Sequence, residues 1–485
     1  AGGLEVFPGT AKGGTASRMG LSRPLDGAGK APVRAPCAPL ESEYPYRMIL
    51  KEYGNRRRKL MDMMQEGSIV LLPSSCEQIR NRDVHYPYRP SSDFFYLSGF
   101  AEPEALLVLI PGRPQGEYVL FCRGQDPQRE IWDGPRASVH AAREYYGADE
   151  SYPIDKADAI LPGLIENRER LFYNMGEDES FDRRVLKWLN EVRARGRAGV
   201  SAPAELISLS YLLYEMRLYK SKHEIRKMRR AARISAGAHI RAMRACRPGL
   251  MEYHLEAEIM HEFLRNGARA PAYPLIIGCG GNGCVLHYTA NTGPLVDGQL
   301  VLMDVGAEYD YYASDITRTF PVNGRFSGEQ RAIYETVLAA QEAAIKEARP
   351  GKHWNGMHEA AVRALTEGLI EHGILRGDAA ELAERKAYLP FYMHRTGHWL
   401  GMDVHDVGEY RLEGAWRALE PGMAMTVEPG LYFRAGQKGL DQRWWNIGVR
   451  IEDDILVTRG APEILSAAAP KSVAEIEGLM AARAP

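Results

Sequence analysis

The chain has 485 residues, 45% hydrophobic and 26% charged, and its 61 basic and 63 acidic side chains leave a formal net charge of −2. This composition excludes disorder over most of the chain, a collagen-like fibre and a strongly basic nucleic-acid binder. The length suits two to four domains. No apolar run nears the ~18 residues that a membrane helix needs. Six cysteines, at 37, 76, 122, 246, 279 and 284, form no CxxC pair. They read as scattered thiols in a reducing compartment, with Cys279 and Cys284 as candidate neighbours.

Residues 1–40 are dominated by Gly, Ala, Pro, Ser and Thr. Such a segment cannot bury enough surface to offset its ordering entropy, so a disordered arm or leader remnant is expected. Arg18, Arg23 and Arg34 with few acids give it a faint transit-peptide character. The expected location is therefore cytoplasmic, or mitochondrial where the arm derives from a leader. Residues 41–214 read as an α/β domain. Short apolar runs at 68–72, 105–110 and 117–122 have strand length, and a helical pattern covers 181–193. A long helix is expected over 221–245. Ile225, Met228, Ala232 and Ser235 line its apolar face, and a solvated basic face carries Lys222, Arg226, Lys227, Arg229, Arg230 and Arg233.

Residues 215–470 change character. Strands alternate near turn signals, and helices are expected at 327–348 and 357–373, which reads as α+β with an antiparallel sheet. Residues 471–485 are set apart as a C-terminal tail. Gly278-Cys-Gly-Gly-Asn-Gly283 fits GxGxxG, but Cys284–Thr289 reads as a strand where a dinucleotide site needs a helix.

The informative stretch runs from Leu300 to Phe320. Two β-prone runs flank Tyr309-Asp310. A hairpin about that centre sets Asp304 opposite Asp315, ~5 Å apart on one face. Two carboxylates so close share a proton or a metal. Their apolar flanks make unpaired charge costly and favour metal. Later candidates are His398, before Trp399, Glu428, before Pro429, and Glu452, after Ile451. Arg450 shares a strand face with Glu452.

The ordered set Asp304, Asp315, His398, Glu428 and Glu452 resembles the metallopeptidase family of the pita-bread fold. That family holds methionine aminopeptidase, prolidase and aminopeptidase P. Within it the chain is most similar to the aminopeptidase P (Xaa-Pro aminopeptidase) branch, over about 53–460. The resemblance rests on Leu286-His-Tyr-Thr289, Met303-Asp-Val-Gly306, Ser314–Phe320, His398-Trp-Leu-Gly401, Asp403–Gly408 and Val427–Tyr432. His85-Tyr-Pro-Tyr-Arg89 followed by Ser92–Phe100 carries it into the N-terminal domain, which methionine aminopeptidase lacks.

The resemblance implies an N-terminal α/β domain plus a C-terminal pita-bread (creatinase/aminopeptidase-like) α+β catalytic domain. It also implies two divalent ions. Asp304 would chelate one, Asp315 and Glu452 would bridge both, and His398 and Glu428 would hold the other. Oxygen-rich ligation with one imidazole suits Mn²⁺, with Zn²⁺ or Co²⁺ as alternatives. A hydroxide bridging two ions would attack the X-Pro carbonyl, and Glu428 would relay a proton to the leaving nitrogen. His287, His394 and His405 would stand around the metals, with His287 and His405 lining the substrate pocket. Tyr432 and Arg450 would lie beside the ligands. Asp83 and Trp132 match positions that approach a neighbouring subunit's site in tetrameric relatives. The implied activity is release of an N-terminal residue from peptides with proline second. The implied assembly is a homodimer or homotetramer, with no nucleic acid and no membrane. A prolidase, an inactive binding relative and a metal-free amidinohydrolase are the alternatives.

Overall fold

The computed structural model describes residues 43–482. The arm expected over 1–40, with Cys37, lies outside the described residues. Six strands form the N-terminal sheet, in the spatial order Glu150–Pro153, Tyr118–Cys122, Leu106–Leu109, Ser68–Pro73, Arg170–Phe172 and Glu205–Ile207. Ser68–Pro73 runs antiparallel to Leu106–Leu109 and parallel to Arg170–Phe172. Both faces are covered, which is why its central strands read as continuous apolar runs. Ile69 and Leu71 face one core cluster, where the helix Glu179–Ala194 buries Phe181, Val185, Trp188, Leu189 and Val192. Val70 and Leu72 face the other, which runs on to Tyr312, Leu400, Met402 and Leu456. One sheet face thus packs toward the second half of the chain.

The helix Lys222–Ala245 starts at Ser221, whose hydroxyl accepts the Glu224 N–H while the Glu224 carboxylate accepts the Ser221 N–H. That reciprocal cap satisfies two orphan donors and fixes the start. Met228, Ala232 and Ser235 are buried as expected. Lys227 departs from the expected solvated face. It is 8% exposed, and its ammonium meets Asp310 at 2.7 Å and lies over the Tyr312 ring.

Beyond this helix the sheets are small and antiparallel. Leu300–Asp304 lies between Ile276–Cys279 and Thr317–Pro321. Ala424–Val427 pairs with Asp453–Leu456, and Gly430–Phe433 with Ile447–Arg450. Helices Gly328–Glu347 and Trp354–Glu371 pack on each other behind them. The second begins earlier than expected because Trp354, buried against Trp399 and Tyr410, already belongs to it. The segment set apart as a tail carries a helix, Val473–Ala481, with Val473, Ile476 and Met480 buried.

Two local expectations are corrected. Cys284–Thr289 is not a strand: Gly280–Cys284 is one turn of 3₁₀ helix and a loop follows. The glycine there serves close packing, not a phosphate. A Cβ on Gly448 would come within 2.3 Å of the Gly283 carbonyl oxygen. Cys279 and Cys284 are free thiols facing different partners, Gln299 and the Phe433 carbonyl. The hairpin centre also lies one residue further on. Tyr309 pairs with Tyr312, and Asp310 and Tyr311 take left-handed φ values of 51° and 65°. A two-residue turn of this hand matches strand twist. Asp304 therefore pairs with Thr317, two residues beyond Asp315. An even shift keeps side chains on their face, so the two aspartates still converge.

Candidate metal centre and active site

Each candidate ligand sits at a strand end or in a loop tied to a strand. Asp304 ends Leu300–Asp304, and Asp315 precedes Thr317–Pro321. Glu428 lies between Ala424–Val427 and Gly430–Phe433, and Glu452 between Ile447–Arg450 and Asp453–Leu456. The loop carrying His398 is stitched to Ala424–Val427. The Thr426 N–H donates to the His398 carbonyl at 2.9 Å, and the Glu428 N–H to the Thr396 carbonyl at 2.8 Å.

The five side chains converge. Ligand atoms of Asp315, His398 and Glu452 lie within 4.8 Å of one another. His398 Nε2 is 3.3 Å from Asp315 Oδ2 and 3.8 Å from Glu428 Oε1. Its Nδ1 faces the Trp399 carbonyl at 3.0 Å. A proton on Nδ1 donates to that carbonyl and leaves Nε2 turned toward the carboxylates. The Tyr273 hydroxyl reaches Asp304 Oδ1 at 2.6 Å and Asp315 Oδ1 at 2.5 Å. The two oxygens of Asp315 thus face opposite halves of the cluster, one toward Asp304 and one toward His398.

One guanidinium serves this acid-rich group. Arg450 donates to Asp304 Oδ2 at 2.5 Å, to the Tyr432 hydroxyl at 3.0 Å and to Thr317 Oγ1 at 3.1 Å. Thr317 in turn donates to Glu452 Oε2 at 2.6 Å. The expected contact of Arg450 with one carboxylate is present, and it reaches Glu452 through Thr317.

Four buried carboxylates against one arginine cannot all ionise cheaply. Burial pushes Glu452 well above the carboxylate range, and Asp315, Glu428 and Asp304 push it further. Burial likewise raises Glu428 to about 7 and raises Asp304 despite Arg450. Asp315 goes the other way. Burial would raise it, but its hydrogen bond and charge contact with His398 hold it low. Burial pulls His398 down, yet Asp315 and Glu428 outweigh it and hold the imidazole at about 9. The group lacks positive charge. Two divalent cations would supply +4 against four carboxylates, and the oxygen-rich donor set with one imidazole is one that such ions take. The residues present fit the metals that the sequence implies.

The other three candidate histidines lie around this cluster, in a cavity of about 1040 Å³. His394 Nε2 accepts from the Tyr432 hydroxyl at 2.8 Å, and its Nδ1 faces the Arg395 carbonyl at 2.8 Å. Burial, then Arg450, lowers it to about 3, so it stands neutral. The His405 ring meets the His398 ring edge to face, centroids 4.4 Å apart. His287 lines the same cavity from the loop after Cys284. Asp83 and Trp132 do not line it. Asp83 sits at a hairpin tip, and Trp132 is 86% exposed on the helix Pro127–Asp133.

Tyr273 and Thr317 were not anticipated. Nothing near Tyr273 in sequence marks it, because its partners are 31 and 42 residues away. The N-terminal motif acquires a physical role. Arg89 donates to the Met402 carbonyl at 2.8 Å and Ser92 to Asp403 at 2.6 Å. Arg217, 3% exposed, joins Asp93 to Asp403 and Asp406 at 2.6, 2.7 and 2.5 Å. The loop bearing His405 is thereby clamped to the N-terminal domain.

Comparison with known proteins agrees with this geometry. Residues 226–459 match Metallopeptidase family M24, and residues 53–173 match the aminopeptidase P N-terminal domain. The chain is 46% identical to the Xaa-Pro aminopeptidase of Escherichia coli, over 89% of this chain and 98% of that one. It is 43% identical to the Xaa-Pro aminopeptidase of Haemophilus influenzae, over 91% and 100%. Among solved structures, Pseudomonas aeruginosa aminopeptidase PepP superposes with a TM-score of 0.89 at 57% identity, covering 89% of this chain and 98% of that one. A zinc-substituted E. coli aminopeptidase P in complex with product gives 0.87 at 46%, covering 90% and 99%. An N-terminal α/β domain, a pita-bread domain carrying an Asp-Asp-His-Glu-Glu cluster, and relatives matched over nearly their whole length leave one assignment: the chain is an enzyme of metallopeptidase family M24, in its aminopeptidase P branch.

Proposed function

We propose that the chain releases the N-terminal residue from peptides with proline second, using two divalent metal ions, with Mn²⁺ the best match to the donor set. The observation that carries this reading is the convergence of Asp304, Asp315, His398, Glu428 and Glu452 around one guanidinium at the cavity wall. Asp304 would hold one ion, His398 and Glu428 the other, with Asp315 and Glu452 between. The opposed directions of the Asp315 oxygens support its bridging place. When bound, such a pair supplies a hydroxide nucleophile near neutral pH.

The chain's own residues do the rest. Arg450 and Tyr273 fix the orientation of Asp304, and Thr317 fixes Glu452. Glu428 faces His398 with one oxygen and His394 with the other, placed to pass a proton to the leaving proline nitrogen. His405 and His287 line the cavity from two different loops and would present imidazole N–H groups to the oxyanion that forms on the X-Pro carbonyl. Ile131 and Trp132, 81% and 86% exposed, offer an apolar surface that a homodimer or homotetramer would cover; sedimentation equilibrium reads that assembly directly. Five free thiols among the described residues support a reducing, cytoplasmic setting.

Substrate choice tests the reading. A proline ring lacks the amide N–H and fixes φ, so a pocket shaped for it loses packing with alanine. A tripeptide with proline second should be cut after its first residue, with kcat/KM at least about tenfold above its alanine analogue, the scale of a few lost methylenes. Equal values would indicate a general aminopeptidase. Hydrolysis confined to dipeptides would indicate a prolidase.

A further inference from the structure

His287 has no hydrogen bond of its own among the described residues, and its imidazole is exposed in the cavity. Its position is inherited from the loop that carries it. That loop is built around Glu252, the first residue of the helix Glu252–Arg265, which is 0% exposed. Oε1 accepts the Cys279 N–H at 2.8 Å and Asn282 Nδ2 at 3.0 Å. Oε2 accepts the Tyr288 hydroxyl at 2.9 Å and the Gly293 N–H at 2.6 Å. The Glu252 N–H donates back to the Gly293 carbonyl at 2.9 Å. Four donors fill the acceptor sites of one carboxylate. They come from both ends and the middle of the segment 279–293, with His287 next to one of them.

The surroundings make this a tight anchor. No basic side chain pairs with Glu252 among the described residues. The charge is carried by charge-assisted hydrogen bonds, which are stronger than neutral ones. A Cβ on Gly293 would lie 2.9 Å from Glu252 Oε1, so the backbone approaches the carboxylate closely. Leu286 and Tyr288, on either side of His287, pack against Ile276, Cys284, Leu302 and Tyr432. Apolar packing sets the height of the loop, and Glu252 sets its register.

We propose that Glu252 is a positioning residue: it folds the 279–293 loop around its carboxylate so that His287 is held over the metal-facing wall of the cavity. This rests on the role given to His287 above. The test is Glu252→Gln, which keeps the shape but replaces two acceptor sites with an NH₂ that meets donors. Hydrogen exchange reads the loop whether or not the protein is active. The Cys279 and Gly293 amides should exchange at least about tenfold faster, while Leu300–Asp304 stays protected. Unchanged protection at Cys279 and Gly293 would overturn the proposal.

Turnover then separates positioning from general damage. With an Xaa-Pro tripeptide, Glu252→Gln should lower kcat about 10- to 100-fold, the scale of a small misplacement, with metal per chain near wild type. The loss should vanish in a His287→Ala background. An equal loss in both backgrounds would mean that Glu252 supports the whole site, and the proposal fails. Tyr288→Phe, which removes one bond of four, should shift kcat the same way by less. If the wild type cleaves no such peptide, the functional reading fails, and the exchange measurement still decides the anchor.

Discussion

His398→Ala should lose metal and turnover together. Its Nε2 is the one nitrogen donor among the five proposed ligands and stands 3.3 Å from Asp315 and 3.8 Å from Glu428. Removing it leaves a group of buried acids that already resist ionisation, with one fewer donor for a cation. The loss should exceed the ~10–100-fold typical of changing a partner outside the ligand set. Asp315→Asn should behave alike, since it removes charge from the residue whose two oxygens face both halves of the cluster. Metal analysis per chain beside kcat measures both. Unchanged stoichiometry with full turnover in either variant would mean that the residue is not a ligand.

His405→Ala should separate the two properties. Its ring lies against that of His398, and it lines the cavity. A donor to the oxyanion acts mainly in the transition state. Losing one such donor typically costs about 10²–10³ in kcat, or roughly 2.7–4 kcal/mol. Metal content should stay near wild type while kcat falls by that order. Metal loss here, with retention in His398→Ala, would exchange the two roles. Full turnover and full metal would make His405 a packed residue without a chemical part.

Much of this arrangement is legible in the sequence. The strands of the first domain announce themselves because they are buried on both faces, so Ile69 and Val70 are apolar though they point opposite ways. A hairpin about Tyr309-Asp310 sets Asp304 and Asp315 on one face. The pairing was off by two residues, because Asp310 and Tyr311 both take left-handed φ, a choice their identities do not advertise. The even error preserved the conclusion, where an odd one would have separated the carboxylates.

What stayed hidden is long-range and polar. Tyr273, Thr317 and Glu252 act through hydrogen bonds to residues 27 to 135 positions away, and no local periodicity encodes such partners. Lys227 sat on a basic helix face that looked solvated, yet the turn at Asp310 folds over it. The stretch Cys284–Thr289 reads as a strand, but the Tyr288 hydroxyl is tied to Glu252 and Gly448 passes close to the backbone at Gly283 and Cys284. Local pattern reports burial and face. It does not report which distant side chain completes a buried hydrogen-bond set.

The most direct test of the account is hydrolysis of an Xaa-Pro tripeptide by the full chain as metal is removed and returned. Chelation should abolish turnover, Mn²⁺ should restore it, and recovery should rise with bound metal up to two ions per chain, because the proposed nucleophile depends on them. Full activity in protein shown by elemental analysis to be metal-free would contradict it.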